Sequence, residues 1–100
     1  MSSDPYAKRL FWFIFAGTRG GINRIRIILV LKEEPMNMNQ ISKKLSLDYK
    51  AIQHHIRILE KNNLLKSEGK KYGVTYLPST FLEENMGIFN DIARKLDKNK

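Results

Sequence analysis

His54 and His55 are the only two histidines of the chain, and they stand side by side in "LDYKAIQHHIRILEKNN", Leu47 to Asn63. Adjacent imidazoles raise three chemistries: metal ligation, acid–base catalysis and contact with a partner. On a helix, neighbouring side chains diverge by about 100°, whereas helical metal pairs sit at i, i+3 or i+4. The chain has no cysteine and no third histidine to complete a nitrogen or sulfur ligand set, and it can form no disulfide. A catalytic histidine needs a nucleophile and an orienting acid, and no spacing here nominates them. The chain therefore reads as a binding protein, not an enzyme, with no metal or cofactor expected. A second candidate, "GTRGG" from Gly17 to Gly21, lacks both the Lys-Ser/Thr pair and the preceding strand of phosphate-cradling loops, and reads as a helix stop and turn. Arg19 in that break and Arg24 just inside the next helix are expected at phosphates, because a helix N-terminus flanked by arginines suits an anion.

Phasing separates the two histidines. With Ile52 at zero, Ile56 and Leu59 fall within about 40° of it and form the buried stripe. Lys50, His54, Arg57 and Lys61 fall on the opposite side, with Gln53 between. His55 lies at the margin of the apolar face, where a packed, hydrogen-bonded ring is expected. His54 points outward, either simply solvated or touching nucleic acid. A helix face that is only solvated tends to alternate acids with bases, yet this stripe contains no acid, and Glu60 is off to its side. Gln, His and Arg can hydrogen-bond base edges, while Lys and Arg supply salt-dependent phosphate affinity.

Several elements must position this stripe. Asp4 and Pro5 suit the cap and first turn of a helix from about 5 to 16, whose "LFWFIF" is apolar on all sides and must be enclosed, either by its own domain or by a second copy. "INRIRIILVLKE", Ile22 to Glu33, reads as a central helix ended by Pro35, and "MNM" from Met36 to Met38 as a short strand. Asn39 is expected to cap a short helix through Leu45; "SLD" makes a turn; Asp48 caps a longer helix to about Asn62. Short helix, tight turn and longer helix make a helix-turn-helix over about 39–62. Tyr72, Val74 and Tyr76 alternate around "EGKK" and its glycines, predicting a β-hairpin wing over about 64–77 with Lys70 and Lys71 at its tip, as a solvated turn or a DNA contact. Thr80 to Glu83 has capping-box spacing, opening a helix over about 80–96. The predicted fold class is mainly α (α+β), one winged helix-turn-helix domain over 1–100.

The bulk composition agrees. Eighteen Lys and Arg against ten acids give +8, a pI near 9.9, and a preference for negative partners such as nucleic acid. Between Asn39 and Tyr76 eight bases face three acids, so +5 of the net charge lies there. The apolar run from Leu10 to Ala16 is far short of the roughly 20 residues that span a bilayer, and a cytoplasmic protein without a membrane partner is expected.

Residues 15 to 77, and "LSLDYKAIQHHIRILEKNNLLKSEGK" most of all, resemble the ArsR-like winged-helix transcription regulators. The resemblance implies a homodimer with the recognition helix in the major groove and terminal helices at the dimer interface. On that reading the interface is formed by Leu10, Phe11, Phe13, Ile14, Leu82, Met86, Phe89 and Ile92. Where metal-sensing members carry paired cysteines, this chain has Asn37 and Asn39, poor ligands for soft metals. The combined expectation is a regulator binding double-stranded DNA at an inverted repeat. Tyr49, Lys50, Gln53, His54 and Arg57 would face bases; Arg19, Arg24, Lys43, Lys44, Lys61, Lys70 and Lys71 would hold phosphates. The alternative is a winged-helix interaction module of a larger transcription or RNA-processing complex, since fold alone does not decide function. Such a module would be expected to carry apolar anchors on the outer stripe, which has none. Double-stranded RNA suits a groove-reading helix less well than B-form DNA.

Overall fold

The computed structural model describes residues 4–71 and 73–97. Tyr72, expected in the wing, lies outside them. Asp4 caps α1 (Pro5–Phe15) by accepting from the Tyr6 amide at 3.0 Å. A turn through Gly20, which has φ of +90°, leads into α2 (Gly21–Glu33). The two helices approach so closely there that a Cβ on Gly21 would overlap the Phe15 carbonyl. The helix-turn-helix follows as α3 (Met38–Leu45) and α4 (Tyr49–Lys61).

Asn37, not Asn39, caps α3. Its Oδ1 accepts from the Gln40 amide while Gln40 Oε1 accepts from the Asn37 amide, both at 2.8 Å. This reciprocal pair is worth about 1 kcal/mol to the helix start. It also commits the Asn37 side chain to the backbone. At the other end of α3, Arg26 of α2 donates from Nη2 to the Leu45 carbonyl at 3.1 Å, closing a helix terminus that would otherwise lack a partner.

β1 (Leu65–Glu68) and β2 (Thr75–Pro78) pair antiparallel, with Leu65 opposite Pro78 and Glu68 opposite Thr75. Met36 adds a single bridge to Tyr76, so the predicted "MNM" strand shrinks to one residue because Met38 already belongs to α3. The last helix is not continuous: α5 (Thr80–Glu84) and α6 (Met86–Asp97) meet at Asn85. Ser79, not Thr80, caps α5. Its Oγ accepts from the Leu82 amide at 3.0 Å and donates to the Asn63 carbonyl at 2.7 Å, tying α5 to the end of α4. No helix among the described residues is long and apolar enough to cross a membrane.

One core draws on every helix. Ile27, Ile28 and Leu31 of α2 pack with Ile41, Ile52, Ile56, Leu59 and Leu64 beneath the helix-turn-helix. Phe11 and Phe15 of α1 meet Phe81 and Phe89 edge-on, with ring centres 5.8 and 5.1 Å apart. The structure corrects the interface expectation here. Phe11, Ile14, Leu82, Phe89 and Ile92 are each at most 1% exposed inside the single chain, so they have no surface left to offer a partner. Enclosure of α1 is only half achieved: Tyr6 and Phe13 remain about 60% exposed and Trp12 is at the surface. α2 likewise leaves Ile22 and Leu29 exposed, although both follow its apolar pattern.

Candidate nucleic-acid interface

Asp48 starts α4 by accepting from the Lys50 and Ala51 amides at 3.0 and 3.4 Å. The phase thus set buries Ile52, Ile56 and Leu59 completely and presents Tyr49, Lys50, His54, Arg57 and Lys61 to solvent, with Gln53 half-buried. The five residues expected to face bases therefore share one side of one rigid helix. Lys43 and Lys44 are exposed at the end of α3, and Arg19 is exposed in the turn before α2. Lys70 and Lys71 are exposed at the wing tip, where Gly69 adopts φ of +98° and a Cβ would overlap the Gly73 carbonyl.

β1 packs against α4, and β2 packs against α2. Burial, then Glu60 and Tyr49, push the Tyr76 hydroxyl above its ordinary range, with Arg57 opposing them.

Arg24 is the clear departure. It is only 3% exposed and does not belong to the outward face that α4 presents. Its Nε donates to the Ile14 carbonyl at 3.0 Å; Nη2 donates to Thr18 Oγ1 at 2.6 Å and to the Arg19 carbonyl at 3.2 Å. Nη1 lies 3.1 Å from Nδ1 of His55. A guanidinium can only donate, so Nδ1 is the acceptor and the ring proton sits on Nε2. Burial first, then Arg24 and His54, push His55 below its ordinary range, which favours a neutral ring able to accept. His55 is the packed, hydrogen-bonded ring that phasing predicted, and its Nδ1 is unavailable to a metal. Spacing held a signal for Arg24: Arg24, Ile28 and Leu31 follow i, i+4, i+7 on the inward side of α2.

A short helix, a tight turn, an exposed second helix and a flanking hairpin define a winged helix-turn-helix protein. Residues 23–67 match the model of the bacterial regulatory protein, arsR family. The chain is 30% identical over 81 residues to an uncharacterized HTH-type transcriptional regulator of Methanocaldococcus jannaschii, covering 77% of this chain and 82% of that protein. The reduced form of the regulator YodB from B. subtilis superposes with a TM-score of 0.71 at 18% identity, covering 97% of this chain and 94% of that one. The homodimeric winged helix-turn-helix DNA-binding domain of a Mycobacterium bovis protein does so at 0.68 and 14% identity, covering 98% and 90%. The chain belongs to the ArsR-type winged helix-turn-helix transcriptional regulators, which are not a class of enzymes.

Proposed function

We propose that the chain binds double-stranded DNA as a homodimer at an inverted repeat, with α4 in the major groove and the wing on flanking DNA. The observation that carries this is the outer face of α4, where Lys50, His54, Arg57 and Lys61 are all exposed on the side opposite a fully buried stripe. Tyr49, Lys50, Gln53, His54 and Arg57 would meet base edges, and Arg19, Lys43, Lys44, Lys61, Lys70 and Lys71 would meet phosphates. Arg24 takes no part in this contact. Two helices related by a two-fold axis would read half-sites about one helical turn apart.

For the dimer, the apolar surface that the core leaves uncovered supports a face built on α6. Trp12 stands on one side of it, with Lys95 Nζ 5.8 Å from its ring centre. Ile22 and Leu29 stand on the other, lining a cleft with Ala93 and Leu96. Leu10 and Met86 keep partial exposure and extend the candidate contact.

Selection of bound duplexes from a random pool tests the reading, with a two-fold symmetric motif as the expected result. Replacing Gln53 and Arg57 together by Ala is expected to weaken the selected site by about 30-fold to 10⁴-fold, at roughly 1–3 kcal/mol per lost base contact, while binding to random duplex falls much less. No enrichment at all would favour the interaction module instead.

A further inference from the structure

Beside the DNA-facing stripe lies an open cleft of about 410 Å³, between the α1–α2 turn and the second half of α4. Its lining includes Arg19, Arg24 and Lys61 but no carboxylate. Arg24 is the decisive group. Its four hydrogen bonds all go to neutral acceptors: two backbone carbonyls, a hydroxyl and a neutral imidazole. Buried charges in proteins are ordinarily paired, and an unpaired one is costly. Neither ion pair among the described residues that the geometry defines involves Arg24; both belong to Asp91 on α6. The rest of the lining is mixed: Thr18, His54 and Asn62 are polar, while Ile14, half-buried Ile58 and Phe13, which is 60% exposed, supply its apolar part. Phe13, expected at the dimer interface, also lines this cleft.

We propose that this cleft binds a small organic anion, its carboxylate or phosphate head among Arg24, Arg19 and Lys61 and its apolar body against Phe13 and Ile58. The volume lies within the range of small-molecule sites and exceeds what a bare ion needs. The head supplies the counter-charge that the fold withholds from Arg24. The consequence for DNA rests on the proposed function above: His54 and Lys61 serve both surfaces, so an occupied cleft withdraws them from the duplex.

The experiment is NMR titration of the intact chain with benzoate and with phenyl phosphate at constant ionic strength, with benzyl alcohol as the neutral control. Saturable shifts confined to Phe13, Ile58 and the Arg24 side chain, absent with benzyl alcohol, are expected. Arg19→Gln with Lys61→Gln, both at exposed positions, is expected to weaken that binding at least tenfold while the spectrum keeps its dispersion. Shifts spread over the whole basic surface, an equal response to benzyl alcohol, or no saturable shift would overturn the site. A second arm adds random duplex DNA. Cleft resonances that respond to duplex but to neither small anion would assign the cations to backbone phosphate and overturn the proposal. Because the first arm contains no DNA, a chain that binds no duplex loses the DNA reading and leaves the ligand result standing.

Discussion

Arg24 joins three parts of the chain at a single guanidinium: the end of α1, the glycine-containing turn and the helix that presents the exposed basic stripe. Its planar fork reaches four acceptors in different directions, which the single ammonium of lysine cannot do. Arg24→Lys is therefore expected to cost about 2–4 kcal/mol despite conserving charge, because buried acceptors lose their donor. Urea denaturation monitored by circular dichroism checks this; a loss below about 0.5 kcal/mol, the scale of ordinary surface substitutions, would show that the network contributes little. His55 adds a pH dependence. Its folded value is held below that of the unfolded chain, so from about pH 6.5 downward the unfolded state takes up a proton that the folded state refuses. Stability is fully present above that pH, falls as pH drops toward the lowered folded value, and then levels. Carboxylates titrate mostly near pH 4, below this window. Denaturation midpoints between pH 7.5 and 5.5 are expected to decline in the wild type and to decline less in His55→Gln, which keeps an acceptor for Arg24. Parallel curves would refute the assignment.

At the scale of elements, the joints between helices carry the specificity of the fold. Gly21 sits where the start of α2 passes the end of α1, and its missing side chain is what lets the two meet. Gly21→Ala forces the helices apart or strains the turn, and is expected to destabilise by about 1–3 kcal/mol. Since α2 holds α4 through Arg24 and His55, the same substitution is expected to broaden the amide resonances of α4. A change confined to α1 would show that the turn is not a joint for α4. The caps were only partly legible from sequence. Asp4 and Asp48 are placed by their position just before apolar periodicity, and both act as predicted. Asn37 and Asn39 carry the same side chain at neighbouring starts, and local chemistry cannot rank them. The bridge between Met36 and Tyr76 draws Met36 into the extended backbone and leaves Asn37 at the cap.

For the whole molecule, the question is which apolar residues close the core and which close an interface. A helix apolar on all sides must be covered, but α1 spends Phe11, Ile14 and Phe15 on its own core and leaves Trp12 at the surface. Trp12→Glu with Leu29→Glu is expected to shift the proposed dimer toward monomer by at least tenfold in Kd, about 1.4 kcal/mol, as read by light scattering across a dilution series. Both positions are surface-exposed in the single chain, so the fold should survive. An unchanged mass would move the interface off α6.

The amino-acid sequence by itself determined the succession of helices, the helix-turn-helix and the face of α4 that points outward. Those follow from periodicity and capping, which are local properties of the backbone: once Asp48 starts the helix, Ile52, Ile56 and Leu59 can bury themselves only by turning Lys50, His54 and Arg57 to solvent. Only the tertiary structure decided what lies behind that face. Arg24 and Arg19 look alike in sequence as two arginines flanking a glycine turn. One lies exposed and the other is buried against His55, because burial depends on which distant segments arrive around a side chain. The same physics divides the adjacent histidines: His54 belongs to the surface that α4 presents, and His55 to the buried joint that holds α4 in place.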